Sequence, residues 1–159
     1  MMYAAFTKKE HGIVDRLITT ISVASEDKTI DTIAQWDTGA SGTCISEEVA
    51  NSLGLTSIGR RNILTPSGGD IVEVYLVDII LPNNVTIKDA TVIGTRIGDQ
   101  GIGALIGLDI ISRGDFAITT NGGVTTFSFV IPSMSRIDFI PKAMTLNKAN
   151  QSHRKSKQK

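Results

Sequence analysis

Cysteine is almost absent from this chain. Cys44 is the only one in 159 residues, so no disulfide can close within the molecule. Histidine is nearly as scarce. His11 and His153 with one thiol cannot make an ordinary zinc site, and the Asp and Glu residues lack the spacing of a calcium loop. The same two histidines leave no serine triad around Ser41, whose setting Gly39-Ala40-Ser41-Gly42-Thr43 misses the Gly-x-Ser-x-Gly elbow by one position. A thiol pair of Cys44 with His11 is conceivable, but a small hydrophobe lining a pocket is the better reading of Cys44. Gly101-Ile102-Gly103 is too short for a dinucleotide loop, and no cofactor is implied. No apolar run approaches the roughly 20 residues that cross a bilayer, so no membrane partner is expected. No basic-then-apolar leader opens the sequence, and a reducing, cytoplasmic setting is the expectation.

Net charge is also missing, but its zero conceals an asymmetry. Lys142, Lys148, Arg154, Lys155, Lys157 and Lys159 are the only charges after Pro141, which leaves ten bases against sixteen acids before it, a net of −6. The expected organisation is one folded domain over residues 1–141 and a basic, flexible tail over 142–159. Such a tail could touch nucleic acid, a membrane or its own domain. Six charges without aromatics or helical periodicity give no recognition geometry, so a solubilising end is preferred and nucleic-acid binding ranks last.

What the chain does have is Ile, Val and Thr within 41% apolar residues, which favours strands over an all-helical fold. Residues 13–24 and 29–36 read as a hairpin across the polar turn Ser25-Glu26-Asp27-Lys28. Ser46 can cap a short helix with Glu47 and Glu48 in its first turn and Gly54 just past its end. Residues 71–81 and 85–93 flank the turn Pro82-Asn83-Asn84 as a second, long hairpin, approached through the polar Thr65-Pro66-Ser67-Gly68-Gly69-Asp70. Ala104-Leu105-Ile106 is a short apolar strand, followed after Gly107 by a turn or two of helix through Arg113. Residues 115–119 and 124–131 flank Asn121-Gly122, which predicts a tight hairpin. A strand, a Gly-containing turn and an apolar strand recur around Asp37 and Gly107, which suggests a pseudo-repeated core.

The chemistry centres on Trp36-Asp37-Thr38-Gly39-Ala40-Ser41. Asp37 supplies an acid–base carboxylate, Thr38 a hydroxyl that donates and accepts, and Gly39 a backbone that another chain or a substrate can approach closely. An Asp-Thr-Gly triplet alone arises by chance in roughly a few per cent of chains this long. Its context adds weight: an apolar strand leads in, a Gly-rich segment lies about thirty positions on, and Leu105-Ile106-Gly107 precedes a short helix.

In this order the features resemble the retropepsins, the retroviral-type aspartic proteases. The resemblance covers residues 13–131 and is most specific at the triplet run and at Ala104-Leu105-Ile106-Gly107-Leu108-Asp109-Ile110-Ile111. It implies a mainly β, closed-barrel fold with one or two short helices, and an aspartic endopeptidase in which Asp37 is catalytic. The triplet occurs once, whereas this chemistry needs two carboxylates sharing a proton, so the resemblance implies a homodimer with one Asp37 from each copy. By the same resemblance Thr38, Gly39, Ala40, Leu105, Ile106 and Gly107 support the site. Gly39, Ser41 and Cys44, with Ser67, Gly68 and Gly69 on a flap, would contact a protein or peptide substrate. Read from the residues alone, the flap candidate could be an ordinary turn, Leu105-Ile106-Gly107 a buried strand end, and Asp109 a helix-start residue. Ser41-Gly42 departs from the acidic residues common there in viral enzymes. A catalytically silent module that dimerises or binds peptides is the alternative function.

Overall fold

The structure is a computed structural model that describes residues 2–65 and 68–156. Ten strands and three α-helices follow one another as β1 (Ala4–Glu10), β2 (Ile18–Ser25), β3 (Lys28–Trp36), β4 (Cys44–Ser46), α1 (Glu47–Leu53), β5 (Gly59–Thr65), β6 (Gly68–Ile80), β7 (Thr86–Thr95), β8 (Ala104–Ile106), α2 (Leu108–Ile111), β9 (Asp115–Thr119), β10 (Thr125–Ile131) and α3 (Ile140–Ser156). Seven strands form one sheet in the order β2-β3-β8-β4-β7-β6-β5. A further pairing of β2 with β6, Val23 opposite Ile79, closes six of them into a barrel and leaves β5 outside as the far arm of a hairpin. Closure removes the open edges that a six-stranded sheet would present.

Alternation places the core. In β2, Ile21 and Val23 point inward and are buried, and in β6, Val77 and Ile79 meet them across the closing seam. A second, three-stranded sheet, β1-β10-β9, lies against the barrel through an aromatic cluster. Trp36 stacks on Phe116 with centroids 5.7 Å apart and planes 9° from parallel, while Phe6, Phe127 and Phe129 pack around them. Four of the five phenylalanines and the single tryptophan thus join the two sheets. Burial of Phe127 and Phe129 contributes about 1.5–3 kcal/mol each.

Several elements differ from the sequence expectation. The first strand is β1, which pairs antiparallel with β10 from Ala4 opposite Ile131 to Glu10 opposite Thr125. Its Thr-Lys-Lys-Glu run, wholly polar and half exposed, gives no apolar signal. The strand expected over residues 13–24 begins only at Ile18. Of the polar approach to the long hairpin, Thr65 ends one strand and residues 68–70 open the next, because β5 pairs with β6 from Gly59 opposite Val74 to Thr65 opposite Gly68, while Pro66 and Ser67 lie outside the described residues. The tight turn expected at Asn121-Gly122 is longer: a single 3-10 turn, Asn121–Gly123, carries Gly122 and Gly123 at φ 67° and 75°. Two consecutive left-handed residues need two glycines here, and the strands resume only at Thr125. After Pro141, where a flexible tail was expected, the chain is helical through Ser156, and its residues 140–151 are exposed.

Helix α1 matches its signals. Ser46 accepts a bond from the Val49 N–H at 3.2 Å, Glu47 and Glu48 occupy the first turn, and Gly54 ends the helix at φ 69°.

Candidate active site

Asp37 stands where β3 ends. Trp36 fixes its base from below, since its indole N–H donates to Thr19 Oγ1 at 2.9 Å and its backbone N–H to the Leu17 carbonyl at 2.8 Å. β3 runs parallel to β8, Trp36 opposite Ile106, so the Asp37 loop and the segment after β8 leave the barrel side by side. They are bonded at successive points: the Asp37 N–H donates to the Ile106 carbonyl at 3.0 Å, and the Leu108 N–H to the Ala40 carbonyl at 2.8 Å. The loop is tightened by the Ala40 N–H, which donates to the Asp37 carbonyl at 3.3 Å. The Gly39 N–H donates to Asp37 Oδ1 at 2.8 Å and sets the direction of the half-buried carboxylate. Thr38, Gly39, Ser41 and Gly42 are exposed, and no residue of the chain bonds the Thr38 hydroxyl among the described residues.

The fit beneath the loop is close. A Cβ on Gly107 would lie 2.6 Å from the backbone of Gly42, so only glycine lets the two segments touch. Leu105 and Ile106 continue this floor, with Ile106 fully buried and Leu105 half-buried.

Beside the loop runs a groove of about 730 Å³ between the barrel and the β5–β6 hairpin. Ala40, Cys44 and Leu105 form its base, Ile63, Leu64, Asp70 and Ile71 come from the hairpin, and Tyr75, Arg96 and Ile97 close its flank. Tyr75 lies across Gly94, where a Cβ would come within 2.8 Å of the ring.

Similarity to solved structures enters at this point. A crystal structure of a retropepsin-like aspartic protease from Rickettsia conorii superposes with a TM-score of 0.52, at 13% identity, over 82% of this chain and 96% of that one. The fold is that of the retropepsin-like aspartic proteases. The solution structure of simian foamy virus (mac) protease aligns over 59% of this chain and 92% of that one, at 19% identity and a TM-score of 0.41. No protein-family profile matches the sequence, and a search of curated proteins finds no match.

Within this retropepsin-like fold the residues singled out from sequence fall into three groups. Asp37, Thr38, Gly39, Ala40, Leu105, Ile106 and Gly107 converge on the paired loops. Cys44 is buried and borders the groove. Burial pushes its thiol up, reinforced by the carboxylates of Asp109 and Asp37. Ser41 is exposed outside the groove-lining residues, and Gly69 lines a smaller depression of about 500 Å³ on the hairpin itself. Gly68 opens β6, and Ser67 lies outside the described residues. The hairpin arms are braced by an ion pair between Arg60 and Glu73 at 2.8 Å, directly opposite in register. The Ser57 hydroxyl, and then Arg60, hold the Glu73 carboxyl below its usual range.

Tyr75, Arg96, Ile97 and Thr43 were not visible as site residues. Tyr75 and Ile97 carry no motif, and only pairing of β6 with β7 brings them to one groove. Thr43 had one signal, its place between the Gly42 turn and an apolar strand, where an interior hydroxyl must find partners. Among the described residues no helix is long and apolar enough to cross a membrane, and no group of three or more His, Cys, Asp or Glu side chains could hold a metal ion.

Proposed function

We propose that the chain is an aspartic endopeptidase that works as a homodimer, with one Asp37 from each copy completing a two-carboxylate site. The observation that carries this reading is the Asp37 carboxylate at the surface end of paired barrel loops, aimed by the Gly39 N–H and bordered by a groove under a β-hairpin. The Thr38 hydroxyl is exposed beside it, free of any bond within the described chain, which suits a role across the two-fold axis.

Two carboxylates in contact cannot both ionise cheaply, so the pair keeps one proton between them. The ionised member takes a proton from a bridging water as that water attacks the scissile carbonyl, while the protonated member hydrogen-bonds to the carbonyl oxygen. Atoms balance without a covalent intermediate: the water oxygen joins the carbonyl carbon, and the departing nitrogen takes the proton. The substrate lies extended between hairpin and floor, with Gly68 and Gly69 of the hairpin above it and Gly39, Ser41 and Cys44 below.

The test is incubation of the protein and its Asp37→Asn variant with a diverse peptide library, read by mass. Cleavage by the wild type and a loss on the order of 10²–10⁴-fold in the variant are expected, in line with removal of a general acid or base. Equal cleavage by both, or none by either, overturns the reading.

A further inference from the structure

One buried polar group near the site takes no part in the chemistry just described. Thr43 ends the Asp37 loop with only 2% of its surface exposed. Its Oγ1 accepts from the Gly107 N–H at 3.1 Å and donates to Asp109 Oδ1 at 2.7 Å. The same Asp109 oxygen accepts from the Ile110 N–H at 3.0 Å, at the start of α2. A carboxylate offers only acceptors, so the hydroxyl proton must point to Asp109 and a lone pair must face Gly107. One side chain thereby ties the loop to both the turn and the helix after β8.

The consequence for Asp37 follows from where the other ties lie. The loop is bonded at its start, Asp37 to Ile106, and at its middle, Ala40 to Leu108. Thr43 makes the third attachment, at its end. Between the second and third sit Ser41 and Gly42, both exposed, and Gly107 rests against Gly42 with no room for a Cβ on Gly107. With the hydroxyl gone, the buried Gly107 N–H would lose the partner it has here, and the close backbone contact would open to seek another. Gly107 lies between Ile106 and Leu108, the partners of the first two ties, so its shift would carry to both of them, and the Gly39 N–H that aims the carboxylate lies on the segment those ties hold.

We propose that Thr43, with its proton directed by Asp109, is a positioning residue for Asp37. It acts through the loop and touches no substrate; the claim rests on the peptidase reading for its kinetic consequence. Threonine rather than an apolar residue is needed because donor and acceptor are both used, and serine should serve nearly as well.

The test compares full-length Thr43→Val, Thr43→Ser and Asp109→Ala with the wild type. Each is first checked for fold by circular dichroism and thermal unfolding, then assayed for kcat and KM on one peptide. In parallel, the titration of the Asp37 carboxyl carbon is followed by NMR in ¹³C-aspartate-labelled protein. Displacement of a reacting group by about an ångström costs on the order of a hundredfold, so Thr43→Val should lower kcat by about ten- to a hundredfold with KM little changed. It should also move the Asp37 titration, while Thr43→Ser restores both, and Asp109→Ala, which removes the acceptor, falls between. A folded Thr43→Val with wild-type kcat and Asp37 titration overturns the proposal, and so does a Thr43→Ser as impaired as Thr43→Val. If Thr43→Val does not fold, an Asp109→Ala variant, which removes the acceptor, with unaltered kcat and Asp37 titration overturns it. If the wild type cleaves nothing, the peptidase reading falls by itself, and the NMR titration in the valine and serine variants still decides the positioning claim.

Discussion

At the scale of single residues, Ala40 and Gly107 set conditions that Asp37 alone does not. Ala40 stands after the triplet where pepsin-like proteins more often carry serine or threonine, and the missing hydroxyl removes a donor that would favour the ionised pair. Activity should therefore peak in the mildly acidic range, and a pH–rate profile with its maximum at strongly acid pH would contradict this. Gly107 is required for a different reason. Alanine there would overlap the Gly42 backbone, neither segment being a flexible side-chain end that could yield. Gly107→Ala should cost about 1–3 kcal/mol of stability, measured by denaturant unfolding. A variant of unaltered stability would mean that the loops separate easily. The triplet was readable because its three residue types carry chemistry in themselves. Thr43 was not, because a threonine before an apolar strand looks like any β-branched residue until its partners 64 and 66 positions away are in place.

Among the elements, the capped helix α1 and the β6–β7 hairpin were legible, since caps and turn residues act on neighbours in sequence. Strands β1 and β5 were not, because each is held mainly by a partner strand and carries a weak apolar pattern of its own. The start of the C-terminal segment shows another such dependence. Asp115, at the head of β9, accepts from Ser133 Oγ at 2.5 Å and from the N–H groups of Met134 and Ser135 at 2.7 and 2.8 Å. These bonds, the Ser133 hydroxyl foremost, hold its carboxyl below the ordinary carboxylate range. A depressed pKa stabilises the folded contacts above the unfolded value, and that stabilisation is lost as pH falls through the folded one. The Met134 and Ser135 amides should thus be protected from exchange, relative to unstructured peptide, at neutral pH and lose that protection below the ordinary carboxylate range. In Asp115→Asn this pH dependence should disappear, and hydrogen exchange that shows the same acid-induced loosening in both proteins would refute the role of Asp115.

For the molecule as a whole, one chain supplies one Asp37, so the proposed activity must follow the number of chain pairs. Specific activity should fall on dilution. Mixing the wild type with an equal amount of Asp37→Asn should leave about half of the wild-type chains paired with one another and halve the activity. A catalyst complete in one chain would be indifferent to both. Composition and local signals by themselves determined that the chain is mainly β and that α1 lies between a Ser46 cap and Gly54, and they singled out Asp37 as the centre of the proposed chemistry. Each depends on the identity of a few adjacent residues. Only the tertiary structure decided that β2 meets β6 to close the barrel, that β1 joins β10, and that Gly107 lies against Gly42 with Thr43 bonded to Asp109. Those contacts join residues far apart in sequence, where pairing is selected by the mutual fit of buried surfaces and by the need of every buried polar group for a partner.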